Sequence, residues 1–186
     1  MTNPNTSSID ADRELTVSAW INWQGVAAGS PQATILSKGP VGSPTYSLSI
    51  LADGRLQFSI FRNVHRNWFI YSDNINQPIT IITDDKIYQN KWTHVTATLG
   101  SETMRIYIDG KQVIETKINK YGILSATTNN LIRFDDPLLI AVEKIDNPAW
   151  PFRGLMDDIQ FYTRMLVPDE VEQVYNLGVC PPGSAE

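Results

Sequence analysis

Cysteine and histidine are scarce in this sequence, which has one cysteine, Cys180, and two histidines, His65 and His94, among 186 residues. A single cysteine cannot form an internal disulfide, and zinc sites need several cysteines or histidines at short spacing. The sequence therefore predicts neither a disulfide framework nor a zinc site. At this length one domain is expected, and it can bury a sufficient apolar core without such cross-links.

Positive charge is scarce as well, since the formal net charge at pH 7 is −5. The nearest approach to a basic cluster is Arg62, His65 and Arg66. Nucleic acid and anionic membrane surfaces attract concentrated lysine and arginine, so neither is an expected partner. Because no apolar run is long enough to span a bilayer, membrane insertion is not expected either.

The two ends of the chain differ from its middle. Residues 1–13 are polar and lack the apolar centre of a secretory signal. We predict a polar segment over 1–13, one domain over 14–178 and a flexible tail over 179–186. In that tail Cys180 is expected to be a free thiol, and pairing with another domain or chain is the alternative.

Catalytic patterns are missing. Hydrolysis of a glycosidic bond needs two carboxyl groups on either side of the bond. Adjacent aspartates occur instead, in three pairs: Asp84-Asp85, Asp135-Asp136 and Asp157-Asp158. Neighbouring residues of an extended strand point to opposite faces, so such a pair cannot act together there. For His94, a hydrogen bond inside a sheet is the favoured role. The sequence does not predict an enzyme.

Short runs with a period of two dominate the rest of the chain. In Glu14–Trp23 apolar and polar side chains alternate, as a half-buried strand requires. Tyr46–Phe61 reads as a hairpin around Asp53-Gly54, because glycine tolerates the positive φ of a tight turn. Lys91–Val113 gives strands at Trp92–Leu99 and Met104–Ile108. Further strands are predicted at 33–39, 68–72, 79–83, 130–134, 137–143 and 154–162.

One helix is predicted, over Pro168–Leu177. Proline suits its first turn, Asp169 and Glu170 complement the helix dipole, and Gly178 ends it. About a dozen short strands followed by one helix indicate an all-β antiparallel sandwich.

Five segments occur in an order that resembles the laminin-G-like, concanavalin A-like jelly-roll domains. They are LTVSAWINW, ILSKG, YSLSILADGRLQFSI, WTHVTATLGSETMRIYIDGKQV and FRGLMDDIQFYTRMLVPDEVEQVYNLG. The resemblance implies a two-sheet antiparallel jelly-roll sandwich with one short C-terminal helix. It also implies a non-catalytic module that binds glycans or proteins, outside cells or on a cell or virion surface, within a larger protein. The family usually has glycine where Ala141 stands.

The resemblance further implies where a ligand or an ion would bind. Local function is expected in the loops and on the concave sheet. Related modules hold a structural calcium with an aspartate of the last strand, which makes Asp157 or Asp158 the candidate here, with Asp10 or Asp12 as further ligands. The alternative is that one aspartate of the pair caps backbone N–H groups and the other is solvated.

Aromatic residues give the remaining signal, because sugar rings stack on flat, exposed aromatic side chains. Trp20, Trp23 and Trp92 lie in or beside regular strands, which favours a packing role. Trp68 and Tyr71 lie in a less regular, aromatic segment and are candidates for ligand binding.

Trp150 is the other candidate platform, since it lies between two prolines in a loop. Asp146, Asn147 and Arg153 are candidates for hydrogen bonds to a ligand beside it. The alternative is that Trp150 plugs the end of the sandwich.

The leading hypothesis is therefore a carbohydrate-recognition or adhesion module. A protein-interaction or structural module without a glycan site is the alternative, and a glucanase-type enzyme is a minority hypothesis. Exposed aromatics with polar neighbours would favour a glycan, whereas a flat apolar patch would favour a protein partner.

Overall fold

The computed structural model describes residues 14–39, 44–61, 78–118, 137–142 and 150–178. These ranges contain ten strands and one helix. The strands are β1 (Leu15–Trp23), β2 (Gln32–Lys38), β3 (Tyr46–Leu51), β4 (Arg55–Ile60), β5 (Ile79–Lys86), β6 (Trp92–Leu99), β7 (Thr103–Ile108), β8 (Lys111–Lys117), β9 (Leu138–Ile140) and β10 (Gly154–Tyr162), and the helix is α1 (Pro168–Leu177).

The strands form two five-stranded sheets. Sheet A has the order β10-β1-β6-β7-β8, and sheet B has the order β5-β4-β3-β2-β9. Every pairing within both sheets is antiparallel. The prediction of an all-β, two-sheet antiparallel jelly-roll sandwich with one short C-terminal helix is confirmed.

The core lies between the two sheets and follows the predicted alternation. Alternate residues of β1 to β7 point into the sandwich, where those of the core are 0–5% exposed, and β8, β9 and β10 add partly buried apolar side chains. From sheet A they include Leu15, Val17, Ala19 and Ile21, and from sheet B they include Tyr46, Leu48, Ile50, Leu56 and Phe58. This burial is the main source of stability of the fold.

The predicted Asp53-Gly54 turn is confirmed. Gly54 has φ +91°, and a Cβ there would lie 2.8 Å from the carbonyl oxygen of Ile87. A side chain is therefore excluded at this position both by backbone strain and by space.

Strand β8 was not predicted from the alternation of apolar and polar residues. A register shift between Ile106 and Tyr107 gives β8 one extra residue, so consecutive residues Val113 and Ile114 both pack partly against the core. A bulge of this kind breaks the period of two from which strands are recognised.

The prediction that β1 is half-buried was wrong. Thr16, Ser18 and Trp20 on its outer face are 0%, 1% and 7% exposed. Helix α1 lies across this face of sheet A, where Tyr107 packs with Leu166, Val171 and Val174. A strand in the middle of a covered sheet is buried on both faces.

Helix α1 has the predicted bounds. At its start the Glu170 carboxylate accepts hydrogen bonds from the Val167 backbone N–H at 3.0 Å and from Arg164 at 2.7 and 2.8 Å. Arg164 and the Val167 N–H together lower the pKa of Glu170 to about 2. At its end the backbone N–H of Gly178 donates to Val174.

In the described part of the chain, no helix combines the length and the apolar character that a membrane span requires.

Candidate ligand-binding face

The outer face of sheet B carries small hydroxyl groups and two side-chain amides. They stand on β2, β3, β4 and β5, at positions that alternate with core residues or pair across strands on the same side. We define the hydroxyl–amide face as Gln32, Thr34, Ser37, Ser47, Ser49, Gln57, Ser59 and Thr80.

The register of the strands arranges these residues in rows across the sheet. Ser37, Ser47, Ser59 and Thr80 are successive cross-strand partners on β2 to β5. A second row consists of Thr34, Ser49 and Gln57. With neighbouring strands about 4.8 Å apart, each row is on the order of 10–15 Å long.

Hydrogen bonds connect side chains of the face both within a strand and across strands. The amide of Gln32 donates to Ser49 Oγ at 3.5 Å, and the amide of Gln57 donates to Ser59 Oγ at 3.5 Å. Ser59 Oγ and Thr80 Oγ1 lie 2.8 Å apart. The two hydrogen bonds donated by the amides are long and therefore weak.

Burial divides the face into two layers. Thr34, Ser37 and Ser49 are 0% exposed, and Ser47 and Ser59 are 6% and 5% exposed. By contrast, the two glutamines are half-buried and Thr80 is exposed. The amides and Thr80 are thus the most exposed side chains of the face.

Trp150 lies at the border of the hydroxyl–amide face. The backbone N–H of Thr34 donates to the Trp150 carbonyl at 2.8 Å, which places Trp150 beside a row of the face. The hydroxyl of Thr34 is buried and has no hydrogen-bond partner among the described residues. An unpartnered buried hydroxyl is unusual and needs an explanation.

The segment around Trp150 joins the two sheets. Phe152 N–H donates to the Ala141 carbonyl at 2.8 Å, and Gln24 N–H donates to the Arg153 carbonyl at 2.8 Å. Trp150 and Ala141 have φ values of +49° and +65°. Such left-handed conformations are strained for residues other than glycine and persist only where the surroundings impose them.

Contacts of this segment with the core help to distinguish the two roles considered for Trp150, a platform for a ligand and a plug at the end of the sandwich. Phe152 packs against the core from here, whereas Trp150 is half-buried and is not among the described side chains that pack against that core. Arg153 is exposed. The predicted roles of Trp150 and Arg153 in ligand binding stay predictions. The other four candidates, Trp68, Tyr71, Asp146 and Asn147, lie outside the described residues.

Asp157 and Asp158 lie on β10 of sheet A and are exposed, on a different sheet from the hydroxyl–amide face. Asp158 has φ +47° and occupies a bulge where the register shifts opposite Ala19. The strand is therefore not regularly extended there, contrary to the premise that neighbouring aspartates of a strand point to opposite faces.

Both carboxylates accept hydrogen bonds nearby. Asp157 Oδ1 accepts from the Asp158 N–H at 2.8 Å, and Asp158 accepts from the Gln160 amide at 2.9 Å. No group of three or more acidic, histidine or cysteine residues suited to a metal occurs among the residues described. Asp10 and Asp12 lie outside them, and calcium binding stays a prediction.

His94 occupies the buried outer face of sheet A. Its Nε2 lies 2.8 Å from Ser18 Oγ, and its ring centroid lies 5.3 Å from that of Trp20 and 5.7 Å from that of Tyr175. Burial lowers the pKa of His94 to about 4, against the opposing influence of Asp109 and Asp158. The predicted structural role of His94 is confirmed, as is the packing role of Trp20 and Trp23, which are 7% and 3% exposed.

Sequence reasoning missed the hydroxyl–amide face, although part of its signal was available. Ser47, Ser49, Gln57 and Ser59 alternate with core residues in one hairpin. A solvated face commonly carries charged side chains, so a run of small hydroxyls there could have marked the face for attention.

Comparison with known proteins places this geometry in a family. The model of the concanavalin A-like lectin/glucanases superfamily matches residues 1–172. Usherin of Mus musculus is 22% identical over 126 residues, which cover 67% of this chain and 2% of usherin. The chain therefore spans only a small part of this curated relative.

Two solved structures share the fold. The CBM40 of Ruminococcus gnavus IT-sialidase, bound to α2,3 sialyllactose, superposes with a TM-score of 0.67 at 15% identity, covering 94% of this chain and 88% of that one. The binding domain of botulinum neurotoxin DC, in complex with rat synaptotagmin II, has a TM-score of 0.59 at 17% identity, covering 95% of this chain and 38% of that one. With its two antiparallel sheets and a family match over most of its length, the chain belongs to the concanavalin A-like lectin/glucanases superfamily.

Proposed function

We propose that this chain is a non-catalytic module that binds carbohydrate on the hydroxyl–amide face of sheet B. The observation that carries the proposal is the composition of this face, which is a field of hydroxyls and amides across four strands. Trp150, joined to Thr34 at its border, supplies an aromatic surface for a sugar ring.

The chemistry of the face suits sugar hydroxyls. Each ligand hydroxyl both donates and accepts, and so does the exposed hydroxyl of Thr80, behind which the other five hydroxyls of the face are buried. The amides of Gln32 and Gln57 add planar donors and acceptors at the accessible layer. Polar groups of this kind, placed beside an aromatic surface, fix the orientation of a bound ligand.

The proposal contains no catalytic step. Glycoside hydrolysis requires two carboxyl groups across a cleft, and the side chains that define this face are hydroxyls and amides. The sialyllactose complex of the R. gnavus domain supports the proposal, since it shows that this fold can bind a glycan.

We further propose that the chain acts as one domain of a larger, exported or surface-displayed protein. Its match to 2% of the length of usherin supports this view. A structural calcium ion at Asp157 or Asp158 belongs to the same proposal. If the ion is present, a chelator should lower the midpoint of thermal unfolding, and the double variant Asp157→Asn, Asp158→Asn should abolish that response.

A protein partner is the alternative function, and one observation favours it. Leu155 and Ile159 on the edge strand β10 are 56% and 37% exposed. Exposed apolar residues on a strand edge suit a protein contact, and the neurotoxin domain of the same fold was solved with synaptotagmin. Leu155→Ser should weaken such a contact and leave glycan binding unchanged.

The test is a glycan array followed by titration of the best oligosaccharide. Gln57→Ala and Gln32→Ala should each weaken binding about tenfold. Each removes an uncharged amide whose hydrogen bond contributes about 1.4 kcal/mol to the free energy of binding. Gln112→Ala, at an exposed position of β8 in sheet A, is the matched control and should bind normally. Silence of the folded protein on the array, or equal binding by all three variants, would refute the proposal.

A further inference from the structure

Three loops lie together at one end of the sandwich. They are residues 24–31, between β1 and β2, residues 52–54, between β3 and β4, and residues 87–91, between β5 and β6. Backbone hydrogen bonds join the third loop to the second and to the end of β1. Ile87 N–H donates to the Gly54 carbonyl at 2.9 Å, and Asn90 N–H donates to the Trp23 carbonyl at 2.7 Å. Loop 87–91 is therefore fixed at both of its ends.

Tyr88 is the only exposed aromatic side chain in the described part of the chain, at 72%. The residue before it, Ile87, is 5% exposed and belongs to the core. Asn90, two residues after it, has φ +59°, a left-handed conformation that its hydrogen bond to Trp23 holds. The backbone thus presents the Tyr88 ring to solvent in a fixed place, which lowers the entropy lost when a ligand binds.

Three exposed side-chain amides accompany Tyr88: those of Gln24, Gln89 and Asn90. The position of the Gln89 amide depends on Gly25. A Cβ at Gly25 would lie 3.4 Å from Gln89 Nε2 and 3.5 Å from Gln89 Oε1, so the amide covers this glycine. The contact also brings Gln24, the neighbour of Gly25, beside loop 87–91. Residues from two loops therefore meet around one aromatic ring.

The combination of an exposed aromatic ring and planar amides suits a sugar. The C–H face of a sugar ring can stack on the aromatic side chain, while amides donate to and accept from its hydroxyl groups. A protein partner would instead be expected to cover a contiguous apolar patch. On these three loops, all of them described, Tyr88 is the only large apolar side chain that is exposed. The chemistry therefore favours a saccharide.

We propose that the end surface, defined as Gln24, Tyr88, Gln89 and Asn90, is a second saccharide-binding site of this domain. A sugar ring stacks on Tyr88, and its hydroxyls form hydrogen bonds with the three amides. The inference goes beyond the proposed function, because the end surface shares no residue with the hydroxyl–amide face. The two sites therefore stand or fall separately.

A set of variants on a glycan array tests the inference. Tyr88→Ala should weaken binding about tenfold, because it removes the stacking surface, whereas Tyr88→Phe keeps the ring and should bind within about threefold of wild type. Since Tyr88 is exposed, Tyr88→Ala should leave the midpoint of thermal unfolding unchanged. Leu177→Ala is the matched control, as it removes a side chain on α1 that is 85% exposed, and it should bind normally.

The same substitutions in a second background separate this site from the hydroxyl–amide face. The double variant Gln32→Ala, Gln57→Ala weakens the face, and the binding that it retains should be lost when Tyr88→Ala is added. If Tyr88→Ala changes binding in neither background, the inference is overturned and the proposed function stands. If Tyr88→Ala alone abolishes binding and the two glutamine substitutions have no effect, the end surface stands and the hydroxyl–amide face does not. Failure of the folded protein to bind any glycan would remove both.

NMR spectroscopy locates the contact directly. The oligosaccharide that binds best on the array is titrated into the wild-type protein, and the ring resonances of Tyr88 are identified by their absence from the spectrum of Tyr88→Ala. We expect these resonances, and the side-chain amide resonances of Gln89 and Asn90, to shift on binding. Tyr88 ring resonances that do not move at saturating ligand would overturn the inference, whatever the variants show.

Discussion

The two sheets share one core, but their outer faces have opposite characters. The outer face of sheet A carries Trp20, His94 and Tyr107, which are 0–7% exposed beneath α1 and its preceding segment. The outer face of sheet B carries the hydroxyl–amide face. An aromatic face needs a cover to remove it from water. On sheet B five serine and threonine hydroxyls are also buried, at 0–6% exposed, and it is the half-buried amides and the exposed Thr80 that can exchange protein partners for water or for a ligand.

The comparison separates stability from recognition. On sheet A, Trp20 stacks on Tyr175 of α1 with ring centroids 5.5 Å apart and 28° between their planes. This contact packs the helix against the sheet and stabilises both. On sheet B, the amides make long hydrogen bonds of 3.5 Å. Substitutions on the first face should therefore act on unfolding, and those on the second should act on binding.

The largest effect is expected for Trp20→Ala. It removes a buried indole that packs on His94 and Tyr175, and such a truncation costs about 3–5 kcal/mol of unfolding free energy. Denaturant unfolding at constant pH measures the loss. Gln57→Ala is the contrasting change and should cost less than about 1 kcal/mol. Similar losses in both variants would contradict the division between the two faces.

The next effect is a loss of stability in mild acid through His94. Its pKa is near 4 in the folded protein and about 6.5 in an unfolded chain. Between these values only the unfolded state binds the proton, so stability is complete above pH 6.5 and falls as the pH drops towards 4. The total loss is about 3 kcal/mol, since each unit of pKa difference is worth about 1.4 kcal/mol.

Urea unfolding of the wild type and of His94→Gln, at several pH values from 7 to 4.5, measures this effect. The glutamine can keep a hydrogen bond to Ser18 but does not titrate, so its stability should fall less steeply. NMR titration of the wild-type imidazole gives the same answer if the variant folds poorly. An imidazole pKa close to 6.5 in the folded protein would contradict the buried, neutral state.

A smaller loss, of about 2 kcal/mol, is expected for Gly178→Ala. Gly178 has φ −87°, which any residue can adopt, but a Cβ there would overlap Trp20 Nε1. The end of α1 would have to move away from sheet A. Gly29→Ala is the opposite case and serves as the control. Its φ of +79° strains a side chain, but nothing lies within 4 Å of the added Cβ. Thermal unfolding compares them, and an unchanged midpoint for Gly178→Ala would mean that α1 does not end tightly against Trp20.

The features predicted correctly from sequence are those specified by neighbouring residues. The bounds of α1 follow from Pro168 and Gly178, and the β3–β4 hairpin follows from Asp53-Gly54 and the alternation around it. Each of these signals comes from residues that are close together in the sequence, for which the patterns of helix ends, turns and strands are reliable.

The features that were missed depend on contacts between distant residues. The bulge at Asp158 arises from the register in which β10 pairs with β1, and no pattern in the neighbouring residues predicts it. Burial of Ser18 depends on a helix about 150 residues later in the chain. The placement of Trp150 beside Thr34 likewise comes from a long-range backbone contact. A candidate site assembled from several strands can be recognised only once their register is known.

The smallest expected effect is a gain in stability on replacing Ala141, in the segment that joins the two sheets. Ala141 has φ +65°, where its methyl group is strained by about 1–2 kcal/mol. Its N–H donates to Ile35 and its carbonyl accepts from Phe152, so the surrounding structure imposes this conformation. Ala141→Gly should relieve the strain, partly offset by the greater chain entropy of unfolded glycine, for a net gain of about 0.5–1 kcal/mol. Thermal unfolding measures the gain, with Ala27→Gly, in the loop between β1 and β2, as the control that should lose stability. A loss in both variants would mean that the backbone at Ala141 is not held in the left-handed region, and the same result would weaken the case that Trp150 is rigidly placed at the border of the hydroxyl–amide face.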